Sequence, residues 1–104
     1  MLMDEVLKSI KLPQKETLFI SPPKKTYLVY HIEKQRRGAD EQNLVSEYDI
    51  TLEVYSALID QGAEEQIGSV LDSFSVEHTK AERSWIASQG LFMTAFYFTL
   101  TEKE

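Results

Sequence analysis

The sequence predicts one α+β domain over residues 1–104: a mainly antiparallel sheet of about four strands, with an N-terminal helix and one longer helix packed on one face. Three observations carry this. Apolar residues recur at helical spacing in two segments, Met1 to Ile10 and Ala63 to Phe74. Between them Tyr48, Ile50, Leu52 and Val54 alternate with Glu47, Asp49, Thr51 and Glu53, the period-two signature of a half-buried strand. Last, Leu91 to Thr101 is nearly continuous in aromatic and apolar residues, as expected of a strand covered on much of both faces and lying centrally in a sheet.

Taken in order, Leu2, Met3, Val6, Leu7 and Ile10 form the apolar stripe of a short first helix, with Asp4 and Glu5 at its start and Lys8 and Lys11 at its end, as the helix macrodipole favours. Pro13 ends it. Leu18-Phe19-Ile20 reads as a brief extended stretch before the break Ser21-Pro22-Pro23-Lys24-Lys25. Thr26 to Glu33 is dense in aromatic and β-branched residues and reads as a strand, followed by a polar ten-residue loop from Lys34 to Asn43. The alternating strand spans Leu44 to Ser56, one face core and the other acidic and wet. Asp60-Gln61-Gly62 opens the longer helix, whose stripe of Ala63, Ile67, Val70, Leu71 and Phe74 should pack on the core face of that strand. Gly68 lies inside it, marking either close packing or a tolerated weakness. Phe74 to Ala87 is read as extended rather than as a helix capped by Thr79, and Ser88-Gln89-Gly90 turns into the last strand.

Composition excludes several functions. With 42% apolar and 27% charged residues the chain is ordinary globular material. No apolar run approaches the roughly 20 residues that span a bilayer, and Asp4, Glu5 and Lys8 spoil the first segment as a signal-peptide core, so a cytosolic protein without membrane contact is expected. The absence of cysteine removes disulfides, thiolate metal sites and a cysteine nucleophile. The two histidines, His31 and His78, are far apart and lack metal-ligand spacing; they read as a half-exposed strand residue and a surface residue, and no metal or cofactor is expected. No nucleophile elbow accompanies the serines, and four glycines leave no phosphate cradle. The carboxylate pairs Glu47/Asp49 and Glu64/Glu65 read as solvated faces, where nothing would raise a pKa for acid-base work. No catalytic residue is expected.

The net charge of −6 is uneven: residues 1–37 hold eight bases against four acids, and residues 38–104 three bases against thirteen acids. An acidic balance argues against nucleic acid as the main ligand, and the strands bearing Tyr27, Tyr30, Phe92, Phe96, Tyr97 and Phe98 lack the interleaved bases of a stacking platform.

As an ordered set, these pieces resemble the small tail-completion, or tail-terminator, proteins of long-tailed bacteriophages. The resemblance rests on the first helix, the Pro-rich break before Thr26-Tyr27-Leu28-Val29-Tyr30, and the polar Gln35-Arg36-Arg37-Gly38-Ala39-Asp40. It continues through the strand Tyr48 to Tyr55, the helix start Ala63-Glu64-Glu65-Gln66-Ile67 and the closing Gly90 to Phe98. It implies a structural protein of the virion, assembled in the host cytoplasm, forming a ring, commonly a hexamer, that caps the tail tube protein and joins it to the head-side connector protein, with no reaction catalysed. In such a ring unlike patches of neighbouring subunits meet. Lys34, Arg36, Arg37, Asp40 and Glu41 are then the candidate subunit or partner contacts, and Glu47, Asp49 and Glu53 the candidate lumen-facing acids, letting DNA pass without specific binding. The other reading of the same periodicities is a small dimeric interaction or regulatory module; a third, an enzyme with a shallow site, has no signature in its favour.

Overall fold

Alternating apolar residues leave one side of a strand in need of cover, and this chain covers it with two helices. The computed structural model describes residues 2–37 and 45–103 and has the order α1 (Leu2–Ser9), β1 (Gln14–Glu16), β2 (Tyr27–Arg37), β3 (Val45–Ser56), α2 (Gln61–Ser73), β4 (Thr79–Lys80), β5 (Ser84–Ile86) and β6 (Leu91–Lys103). The chain is α+β as expected, but the sheet is mixed and has six strands, ordered β1-β2-β3-β6-β4, with β5 also paired to β6. β1 runs parallel to β2, and every other pairing is antiparallel.

Three long strands make the frame. The register places Leu28 opposite Val54 and Val54 opposite Thr94, then Tyr30, Leu52 and Phe96 in the next row of one face, and Ile32, Ile50 and Phe98 in the row beyond. This face packs against Met3 and Val6 of α1, with Ile10 just after it, and against α2 through Ala63, Ile67 and Leu71, with Val70 and Phe74 at its margin. The expected meeting of the strand stripe with the longer helix therefore occurs, and both helices share the one face. At roughly 3.4 Å per residue the long strands set the long axis of a body 49 × 27 × 22 Å, and the radius of gyration of 15.0 Å exceeds the ~13 Å typical of this length.

Local chemistry sets the ends of α2. Asp60 is its N-cap, accepting the Ala63 N–H at 3.0 Å and the Thr26 hydroxyl at 2.6 Å. At the other end the Ser75 N–H donates to the Asp72 carbonyl and the Val76 N–H to the Leu71 carbonyl, a Schellman closure with Ser75 at φ 57°, where glycine is the usual residue. Val76 is thereby folded into the core.

Three expectations need correction. The extended stretch before the Pro-rich break is Gln14–Glu16, just before the expected Leu18-Phe19-Ile20, because Pro13 and Thr17 supply the backbone hydrogen bonds that bracket β1 against β2. The loop does not begin at Lys34: β2 continues to Arg37, paired opposite β3 down to Arg37↔Val45, since the ladder supplies partners to polar residues as readily as to apolar ones. The rest of the expected loop, with Asp40 and Glu41, lies outside the described residues. Phe74 to Ala87 is extended, yet it contributes two short strands, β4 and β5, end to end along β6. Consequently β6 is interior only up to Tyr97, and beyond it no described strand pairs with its outer side.

Leu52 is fully buried at the middle of the core face, so Leu52→Ala should lower stability by about 2–5 kcal/mol in urea titration, with the strand signal in circular dichroism retained. Gly68 has nothing within 4 Å of where a Cβ would sit, so its role is not close packing, and Gly68→Ala should stabilise by about 1 kcal/mol, read as a raised melting temperature.

Candidate functional site

The helix-free face of the sheet carries the residues of the opposite alternation: Tyr27, Val29, His31, Glu33 and Gln35 from β2, Glu47, Asp49, Thr51, Glu53 and Tyr55 from β3, and Met93, Ala95, Tyr97, Thr99 and Thr101 from β6. Glu47, Asp49 and Glu53 thus share one face, as the alternation requires. The end of that face nearest the β2 start is aromatic. The Tyr27 and Tyr55 rings stack at 5.3 Å, and Phe19, from the segment before β2, meets Tyr27 edge-on at 5.3 Å. The opposite end is polar and acidic.

Asp49 and Glu53 are held by side chains on their own and neighbouring strands. Asp49 accepts from Gln35 Nε2 at 3.1 Å and from Thr99 Oγ1 at 2.9 Å, so all three long strands meet at one carboxylate. Glu53 Oε1 lies 2.9 Å from His31 Nε2 and accepts the Tyr55 hydroxyl at 3.0 Å. Burial, and then the Glu53 charge, push the Tyr55 hydroxyl well above the ordinary phenol range, so it stays a donor. These bonds orient the Asp49 and Glu53 carboxylates on the open face. His31 is half exposed, as expected. His78 is not a surface residue: its side chain is largely buried, with Nδ1 3.0 Å from the Val76 carbonyl and the ring beside Phe96.

Lys34 stands on β2 with its ammonium 5.7 Å from the centre of the Tyr48 ring. Arg36 and Arg37 end the same strand, in register with Ser46 and Val45. The candidate contact residues Lys34, Arg36 and Arg37 therefore belong to the strand ladder instead of a loop.

The sequence reading missed a charge cluster. Glu64 was expected on a solvated face with Glu65; Glu65 is exposed, but Glu64 is only 6% exposed, on the side of α2 that meets the sheet. Arg83 grips its carboxylate with Nε at 2.7 Å and Nη2 at 2.9 Å, Lys80 Nζ donates at 3.1 Å, and Thr94 Oγ1 donates at 2.9 Å from β6. The Arg83 bond is the main cause of a carboxyl pKa held down at about 2, with Lys80 and Thr94 adding to it against the opposing effect of burial. A signal was present: Glu64, Ile67 and Leu71 stand at i, i+3 and i+7, on the apolar stripe itself, and Lys80 and Arg83 are two of the three bases after residue 37. Such a carboxylate is saturated with donors and too acidic to serve as a base at neutral pH, so the cluster is a clamp that ties the β4–β5 segment to α2.

Where that segment leaves α2, a broad groove opens beside the outer side of β6. Asp49, Thr51, Tyr97 and Thr99 line it from the sheet, Asp72 from the end of α2, and Glu77, His78 and Thr79 from the segment that follows; among the described residues no lysine or arginine lines it. Among the described residues no group of three or more potential ligands could hold a metal ion, and no helix is long and apolar enough to cross a membrane. No protein-family model matches this sequence, and no curated protein matches it.

Because the Glu64 carboxyl sits near 2 when folded and near 4.5 otherwise, its contribution is complete above pH 4.5 and lost as pH falls toward 2. That contribution is on the order of 3 kcal/mol. Urea midpoints measured from pH 6 down to pH 2.5 should fall through this window, and Glu64→Gln, less stable at pH 6, should show a flatter decline.

Proposed function

We propose that this chain is a structural assembly protein of the tail-completion or tail-terminator kind, a subunit of a ring that caps a phage tail tube and joins it to the head-side connector. The observation that carries the reading is the helix-free sheet face: an ordered acidic row, Glu47, Asp49 and Glu53, on a face that both helices leave open. A sheet clad on one side and charged on the other suits a ring wall, packed outside by helices and repelling DNA phosphates inside. The order of elements supports it too, since a short helix, a Pro-rich break, a long hairpin, a second helix and a closing strand follow one another as in the sequence resemblance.

On this reading the chain catalyses nothing and needs no cofactor. Its partners are copies of itself, a tail tube protein and a connector protein, with DNA passing unbound, and it acts at the head–tail junction of the virion after assembly in the host cytoplasm. A dimeric regulatory module remains the competing class, and mass separates the two. Native mass spectrometry, alone and with tail tubes, should give a ring-sized species, six copies being the expectation; a twofold dimer that ignores tail tubes would refute the ring.

Positive charge at the end of β2, from Lys34, Arg36 and Arg37, supplies one of the two unlike patches that ring contacts require. Reversing Arg36 and Arg37 to glutamate should weaken assembly at least about tenfold and reduce its dependence on salt, measured by sedimentation at low and moderate ionic strength. Equal assembly of variant and parent at both salts would remove the electrostatic part of the proposal.

A further inference from the structure

Along its outer side β6 is covered at one end and bare at the other. β5 and β4 pair with it as far as Thr79↔Tyr97, and among the described residues no strand pairs with that side from Phe98 onward. The cover stops because the chain leaves the edge: Val76 is folded into the core just after α2, and Glu77 and His78 lead from there to the edge at Thr79. Beside that connection and the continuing strand lies the acidic groove, with a volume of about 1090 Å³.

The bare stretch is equipped to pair. The Ala95 carbonyl accepts from the Ala81 N–H; because alternate residues of a strand share a side, the N–H and C=O groups of Ala95, Tyr97, Thr99 and Thr101 point away from β3. Thr99 and Thr101 are exposed and β-branched, and no proline blunts the stretch. Charge defines what fits there. Asp49 lines the groove from the open face, Asp72 from the end of α2 and Glu77 from the connection, the last two exposed, and among the described residues no lysine or arginine lines it. A residue laid opposite Thr99 shares that threonine's face and approaches Asp49, which Thr99 bonds at 2.9 Å, while its neighbours in sequence turn to the helix side, where Asp72 lies. Bases at consecutive positions of an incoming strand therefore find acids on both sides of the sheet.

Geometry restricts the occupant to a single strand. β1 flanks β2 up to Tyr30, in the row of Phe96, and β4 flanks β6 up to Tyr97, so a second copy's folded β2 laid in register would drive its β1 into β4. Twofold pairing of two β6 edges would set one acidic groove against another. We propose that the bare edge of β6 docks an extended lysine- or arginine-bearing segment of a partner protein, which adds to the sheet as a short strand in line with β4. Main-chain bonds to Thr99 and Thr101 hold the segment, the acids select it, and β4 makes it turn away at Tyr97. This goes beyond the ring reading and does not depend on it.

The test uses the full chain and a synthetic peptide, acetyl-Thr-Val-Lys-Arg-Lys-Val-Thr amide, with a control carrying glutamate at the basic positions. By titration calorimetry the basic peptide should bind with a Kd below about 1 mM and the acidic one at least about tenfold more weakly. Asp72→Asn with Glu77→Gln should weaken the basic peptide at least about threefold and flatten its salt dependence. Thr101→Pro, which removes an outward N–H without touching the β3 ladder, should weaken it at least about tenfold while the melting temperature stays within a few degrees. Should that variant fail to fold, hydrogen exchange on the unaltered chain decides: the Thr99 and Thr101 amides should slow at least about threefold when the peptide binds. No binding of the basic peptide, equal binding of the two peptides, amides that do not slow, or amides already slowed by self-association without peptide overturns the docking site and leaves the ring reading untouched. Peptide binding at these amides by a chain that forms no ring, with or without tail tubes, supports the site and refutes the ring alone.

Discussion

The register of β3 between β2 and β6 is the constraint on which the rest of the molecule depends. Because side chains alternate, this one alignment sends Leu28, Tyr30, Ile32, Ile50, Leu52, Val54, Phe96 and Phe98 to a single face and the acids to the other. A slip of one residue would bury Glu53 and Asp49 against the helices and expose Leu52. The alignment is held from both faces at once. Apolar rows pack under α1 and α2, and on the open face Asp49 is bonded to Gln35 and Thr99, from the strands on either side. Hydrophobic burial and charge placement thus specify the same register.

The Glu64 clamp has a narrower task. After α2 the chain must return along β6, and its two short strands there have few apolar residues with which to dock. Arg83 and Lys80 reach back to a carboxylate on α2 while Thr94 reaches it from β6, joining helix, return segment and central sheet at one buried group. With both carboxylate oxygens accepting two bonds each, the desolvation cost of the buried charge is offset. The clamp also fixes where the cover on β6 ends, and so where the bare edge begins.

Exposed large apolar residues follow a different geography from the acids. Leu18, Ile20, Leu58, Ile59 and Trp85 lie on segments at the end of the sheet where β2 and β6 begin and β3 finishes, while Tyr97 is exposed farther along β6. Most of the exposed apolar surface among the described residues therefore gathers at one end of the sheet, away from Asp49 and Glu47.

Much of this was readable in the residues themselves. Period-two alternation from Tyr48 to Val54 fixed the core face of β3 before any partner was known, since burial of that stripe admits one orientation, and the stripes of α1 and α2 announced helices that must cover it. Asp60 as the opening of α2 and the extended run after Phe74 were legible for local reasons, a side-chain acceptor at an N-cap and the loss of helical period. The strand order, the parallel β1, the extension of β2 through Arg37 and the burial of Glu64 were not, because each depends on which distant backbone or side chain arrives as a partner. Lys34 and Arg36 look like loop residues until a ladder of β3 carbonyls and amides lies beside them, and Glu64 looks solvated until Arg83, nineteen positions on, folds back to it. Local sequence determined which face of each element is apolar; tertiary pairing decided where the polar groups end up, because a hydrogen bond or ion pair can be satisfied by partners anywhere along the chain.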